Sequence, residues 1–392
     1  MTDTLLDPAP HAPRRTVRAS AGAIATTIAC VLPVFLVGGL AVQMGDDLHF
    51  SPAGLGLAVS VYFGISALAS VPSGALVERY GPAVVARAGI LLSAGSLLAV
   101  AALARSYPAL VALLGLSAAA NALGQLASNA ALARHVPAHR QGLSFGVKQA
   151  AIPVSTLLAG AAVPTIALTA GWRWAFVAAA VAALAALPAV PAQEGGRTAR
   201  AGTSRAGRAT WALVVVGLAA TLAAAAANAL GTFVVDSSVG RGLSPGLAGL
   251  TLTLGSAVCV VARVGAGWLA DRRAGGHVAL IAGMLVVGAG GLGLLALAGP
   301  VPLVAGVVLG FGLGWAWPGL MNFAVVKLHP QAPAAATSIT QTGVYAGGCL
   351  GPLALGAVAA HLGYPTMWAV AAASMLVAAT LMLTGSRLLT HP

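Results

Sequence analysis

The chain has 392 residues, of which 59% are hydrophobic and only 7% charged, and its mean hydropathy is +0.93. So little charge cannot solvate a water-soluble surface, which excludes a soluble enzyme and, despite a formal charge of +12, a nucleic-acid binder. Glycine is abundant at 50 residues, and small residues let lipid-embedded helices approach closely, so a polytopic helical bundle is expected.

The N-terminal tail carries Arg14, Arg15 and Arg18. The apolar run after it is too long for a signal-peptide core and continues to Asp46 and Asp47, so it reads as a retained helix. Runs of about 20 residues, long enough to cross a bilayer as continuous helices, recur along the chain. The expected spans are 22–43, 52–76, 84–104, 108–133, 142–166, 172–191, 210–234, 246–269, 278–298, 301–325, 333–359 and 364–384. These runs are continuous rather than alternating, which speaks against a barrel. Between the sixth and seventh lies a polar, glycine-rich, basic stretch, Gln193 to Arg208, that reads as a flexible linker. The expected organisation is a tail 1–20, a six-helix lobe 21–192, a linker 193–209, a second six-helix lobe 210–385 and a tail 386–392. The fold class is all-α integral membrane, with twelve transmembrane helices in two pseudo-symmetric lobes.

Fifteen arginines and lysines fall on the side that holds both termini and the linker, against Arg105, Arg173 and Arg241 on the other. The positive-inside rule then predicts cytoplasmic termini and a multi-pass protein of the cytoplasmic membrane. Lys148 and Arg263 belong to neither side. Cys30, Cys259 and Cys349 all lie in apolar runs and show no metal spacing, so no metal or cofactor is expected.

The two halves repeat. Gly74-Ala-Leu-Val-Glu78-Arg79 returns as Gly267-Trp-Leu-Ala-Asp271-Arg272, 193 positions on. Ser51-Pro52 recurs as Ser244-Pro245, each pair reading as a serine cap and a proline at the first helical position. Asn129 matches Asn322, Pro137 matches Pro330, Gln149 matches Gln341 one position off, and Gly171-Trp-Arg-Trp174 loosely matches Gly363 to Trp368. A membrane chain duplicated over half its length is most simply read as a two-lobed carrier.

With these residues the chain resembles the major facilitator superfamily over residues 20–385. The family's loop between spans two and three reads glycine, three residues, an acid, a cation, one residue, glycine; Gly74, Glu78, Arg79 and Gly81 fit it. The second copy fits at Gly267, Asp271 and Arg272, then departs, with Ala274 in the glycine place. The resemblance implies that these seven residues brace one face of the carrier in one state and release it in the other.

Lys148 lies about 10 Å into span five, and Arg263 about 12 Å above Asp271 in span eight. Ionisable residues at such depth mark a substrate path. The resemblance makes spans five and eight neighbours from opposite lobes and adds that carriers of small carboxylates in this superfamily often use an arginine on span eight. Two cations at one level would be satisfied by an anionic substrate; the alternatives are a snorkelling Lys148 and an Arg263 tied to helix-end carbonyls. Ser117, Asn121, Gln125 and Asn129 form one stripe on span four; Ser338, Gln341 and Tyr345 share a face of span eleven, and Tyr62 and Ser66 one of span two. The candidate substrate-binding set is Lys148, Arg263, Gln149, Asn121, Gln341, Tyr345, Gln125, Tyr62 and Trp315; Asn129 and Asn322 are expected to serve helix packing.

No phosphate-binding loop is present, so a gradient is expected to supply the energy. The histidines fall at span ends or outside, and Asp236 is the one acid placed within a span. The expectation is a secondary active transporter of a small anion, working by alternating access on a small-molecule substrate, with a proton as candidate co-substrate and a monomer as the unit. A multidrug/proton antiporter is the alternative. Its Gly-Pro signature belongs on span five, whereas here Gly351-Pro352 stands on span eleven. A non-transporting sensor is a remote alternative, and an enzyme is not expected because no nucleophile, base or metal cluster sits at depth.

Overall fold

A computed structural model describes residues 12–50, 52–191 and 206–390. The expected linker arginines Arg197, Arg200 and Arg205, the Ser51 cap and the first eleven residues lie outside the described residues, as do the side chains of Arg14, Arg15, Arg208 and Asp236.

The described residues are helical almost throughout, and twelve spans cross the bundle. Spans one to ten are Val17–Gly39, Gly54–Tyr80, Pro82–Leu103, Tyr107–His135, Ala138–Ala170, Trp172–Ala189, Trp211–Val235, Leu247–Asp271, His277–Leu295 and Pro300–Leu328. The last apolar segment, Pro333–Leu388, is broken at Gly363 (φ 81°, ψ 164°) into spans eleven and twelve. Gly171, the matching position before span six, has φ 98°. Both turns need a backbone region open to glycine, so the loose sequence match there reflects a shared turn.

One expectation changes. Span one does not run on to Asp46 and Asp47: it ends at Gly39, and a separate short helix, Ala41–Leu48, carries both acids. The glycine pair Gly38-Gly39 ends the first helix, and His49 in the left-handed region closes the second. The Ser244 cap forms as expected, its hydroxyl accepting from Leu247 N.

Within the first lobe span one packs on spans four, five and six; in the second, span seven packs on the helix of spans eleven and twelve. Gly343, Gly347 and Gly351 lie against Gly217, Thr221 and Ala225 of span seven, where any Cβ would strike backbone. The Gly-Pro run displaced to span eleven therefore has a packing role. Across the lobes, span two meets span eleven and span five meets span eight.

Candidate functional site

The span five–eight seam is backbone against backbone. A Cβ at Gly142 would meet the Gly267 carbonyl at 2.5 Å, and one at Gly146 would strike the Arg263 carbonyl. Gly142 and Gly146, four apart, thus face Arg263 and Gly267, also four apart, in the small-residue crossing of lipid-embedded helices. At its end Asp271 reaches the first turn of span five, where Oδ1 accepts from Gly142 N (2.6 Å) and Oδ2 from Leu143 N (2.9 Å). These amides are helix-start donors with no partner in their own helix, and the carboxylate also sits favourably on the positive helix end.

The other seam repeats this with one bond fewer. Glu78 Oε1 accepts from Ala334 N (2.9 Å) at the start of span eleven, while Oε2 pairs with Arg134 at 3.3 Å. Gly74 lies against Ser338 and Ala334, where a Cβ would come within 2.9 Å of the Ser338 Cβ. Gly81 supplies the turn with φ 84°. In the second copy the positive φ falls at Gly276 (71°), two places beyond Ala274, so that loop is longer. Arg79 lies over Tyr80 and Arg272 over Trp268, at 5.2 and 3.6 Å to the ring centroids. Both motif acids therefore cap a helix of the opposite lobe.

Lys148 is fully buried, with 0% exposure. Its Nζ donates to Gln125 Oε1 and to Asn129 Oδ1 (2.9 Å), one turn apart on span four. It does not snorkel to the surface. Asn129, expected to serve packing, is thus part of the Lys148 environment, and the four-residue stripe on span four was the signal for it.

Arg263, 2% exposed, donates from Nη1 to the Gln149 carbonyl (2.6 Å) across the lobe boundary and from Nη2 to the Trp315 carbonyl (3.0 Å) in its own lobe. Each acceptor stands where the hydrogen bonding of its helix is interrupted. Pro153 stands four residues after Gln149 and has no N–H, so the Gln149 carbonyl lacks its intrahelical donor. Trp315 lies in the turn between the π-helical stretch Gly310–Gly314 and Pro318, where the helix of span ten is interrupted. Arg263 Nε is buried and makes no hydrogen bond. Lys148 and Arg263 are at one level, since Arg263 bonds the residue next to Lys148, and neither has an acid partner among the described residues. The ion pairs found there, Arg134–Glu78 and Arg173–Asp47, both lie at span ends.

The remaining candidates gather near the middle of the bundle. Tyr62 donates to the Cys30 carbonyl (3.2 Å), and Asn121 Nδ2 to Ser66 Oγ (3.4 Å). Tyr345 stacks on Phe63 across the lobes at 6.2 Å. Its hydroxyl, beside Gln341 and Asn121, makes no hydrogen bond of normal geometry; the same holds for Asn121 Oδ1, Gln149 Oε1 and Ser117 Oγ. Trp315 is half-buried, its ring 6.0 Å from the Arg263 guanidinium carbon. Asn322 is buried with both polar atoms unpaired.

At the opposite end, Asp47 accepts from Arg173 Nη1 (2.7 Å) and Trp172 Nε1 (3.0 Å), bonds that hold its carboxyl below the ordinary range. Among the described residues no cluster of ligating side chains suited to a metal is found.

The family model of the Major Facilitator Superfamily matches residues 22–352 and again 216–388. No curated protein matches in sequence. Among solved structures the fold is similar to that of the proton:xylose symporter XylE bound to 6-bromo-6-deoxy-D-glucose, with TM-score 0.78 and 15% identity over 95% of this chain and 96% of that one. The Escherichia coli fucose:proton symporter FucP gives 0.70 and 15% over 95% and 99%. The human organic anion transporter MFSD10 gives 0.70 and 16% over 95% and 100%. A duplicated twelve-helix bundle with paired loop acids, matched by the family model over most of its length, makes this chain a membrane transporter of the Major Facilitator Superfamily and not an enzyme.

Proposed function

We propose that the chain is a secondary active transporter that carries a small anionic solute by alternating access, with the loops of Glu78 and Asp271 on the cytoplasmic side of the cytoplasmic membrane. The observation that carries the anion is the pair Lys148 and Arg263. Both are buried, and every hydrogen-bond partner they have is neutral. Removing one such ion from water costs several kcal/mol in real proteins, and neutral carbonyls return only part of it. A visiting carboxylate or oxyanion compensates both charges, and Arg263 Nε supplies a donor with nothing else to bond. Gln149, Asn121, Gln341 and Tyr345 then shape the rest of the site, with Gln125 and Asn129 holding Lys148, and Tyr62 and Trp315 walling it. The same positive interior repels the cationic substrates of a drug/proton antiporter.

The loop acids supply the alternation. Asp271 and Glu78 clamp the starts of spans five and eleven while this end is shut, and release of those amides lets the lobes part. The domain division is the one drawn from sequence, with a six-helix lobe on either side of the 193–209 linker. The test is flux into proteoliposomes for anions first chosen by a thermal-shift screen of monocarboxylates, dicarboxylates and inorganic oxyanions. Arg263→Ala and Lys148→Ala each abolish or severely weaken uptake while the protein still inserts; normal uptake by both variants refutes the site.

A further inference from the structure

The three donor positions of Arg263 are used unequally. One bond crosses the lobes to Gln149, one stays within its own lobe at Trp315, and Nε is buried and bare. The cross-lobe bond exists because Pro153 leaves a carbonyl without a helical donor inside the membrane, where no water replaces it. We propose that the cargo anion and the Gln149 carbonyl are alternative acceptors for Arg263, that anion capture dissolves this tie between the lobes, and that Pro153 is the positioning residue that creates it. The proposal rests on the anion reading above.

The chemistry favours the exchange. A bond from guanidinium to a charged oxygen is roughly twice as strong as one between neutral groups, and a guanidinium offers an oxyanion two parallel donors. The bare Nε becomes one of them when Arg263 turns from Gln149. Arg263 stands two turns from Asp271 on the same span, and both bond span five. Below the tie the seam is glycine against glycine, so the polar bonds add to close backbone packing in holding it shut. Loss of one bond to a charged group shifts an open-to-closed ratio roughly tenfold or more.

The test uses the full chain in lipid nanodiscs, with spin labels at His139 and Ala274, exposed residues of the two lobes at the clamped end. Acetate, malonate and phosphate are the probes against a chloride background. A probe that raises the melting temperature of the unsubstituted chain also lengthens the label distance. Pro153→Ala restores an N–H to the Gln149 carbonyl. It starts partly lengthened without any probe and binds the same probe roughly tenfold tighter, because departure of Arg263 no longer strands an acceptor. A proline that served only to bend span five moves neither quantity in that direction. Arg263→Gln keeps a neutral donor without the charge, and its distance stays short with every probe. The competition is overturned if a stabilising probe leaves the distance unchanged, or if Pro153→Ala binds no tighter than the unsubstituted chain. Failure of all three probes to stabilise that chain overturns the anion reading, and the competition with it.

Discussion

Asp271→Asn tests the clamp most directly. The carboxylate holds two amides, Gly142 N at 2.6 Å and Leu143 N at 2.9 Å. Hydrogen bonds to a charged acceptor contribute about 1.5–3 kcal/mol each, and neutral ones about 0.5–1.5. Asparagine keeps one neutral acceptor and turns a donor toward the other amide. The charge at the helix start, about 0.3–1 kcal/mol, is also lost. Because the freed amides regain water when the end opens, the lower part of that range applies, about 2–3 kcal/mol, or roughly a 30- to 150-fold rise in the opened fraction. Hydrogen exchange read on peptides covering 141–146 in nanodiscs measures it, since both amides exchange only when the clamp is off. Glu78→Gln exposes Ala334 N by a smaller factor, because Glu78 caps one amide and its Arg134 partner is 33% exposed. Unchanged protection at 142 and 143 in Asp271→Asn, or an equal effect from Glu78→Gln, refutes the reasoning.

Gly267→Ala places a methyl on the Gly142 carbonyl and forces spans five and eight apart. It costs about 1–3 kcal/mol as overpacking, seen as a lower melting temperature and a longer His139–Ala274 distance. Gly265→Ala, one turn-face away with open space, leaves both unchanged. At the other end, the Asp47 carboxyl is held below its ordinary range by bonds from Arg173 and Trp172. A lowered folded value means the link stabilises fully above the unfolded carboxyl range and is lost as pH falls through the folded one. Acid melting curves of Asp47→Asn therefore lose that part of the slope, by a small amount because the side chain is 45% exposed. Uptake that a proton ionophore leaves unaffected excludes proton symport; collapse of uptake supports it.

Much of the fold is written in the repeat. Glu78 and Asp271, Gly171 and Gly363 occupy corresponding places in the structure, and the offset between them is visible in the sequence because each turn demands its residue type. The place of Lys148 and Arg263 along their spans also follows from helical rise, and both are buried. The occupancy of their head groups was less legible. Lys148 takes its acceptors from a stripe that sequence shows, yet nothing in a helical period says which neighbour that stripe faces. Arg263 is harder still. Its acceptors are backbone atoms, and backbone carries no sequence signal except through the residue that disables it. Pro153 is that signal, but it can be interpreted only once spans five and eight are known to touch. The break between span one and the helix of Asp47 is not legible in hydropathy, which continues across Gly38-Gly39 while the regular helix stops there.

The contact of Gly142 and Gly146 with span eight has a mechanical consequence. Interlocked side chains resist separation over a broad surface, since each must leave its socket. At the glycine crossing itself there are no sockets to vacate, and interlocking side chains meet across the lobes elsewhere, where Tyr345 stacks on Phe63 and Phe323 meets Phe145. On the proposed alternating access, the polar attachments beside such a crossing bias which way the carrier faces, and a bound solute that competes for one of them shifts that bias.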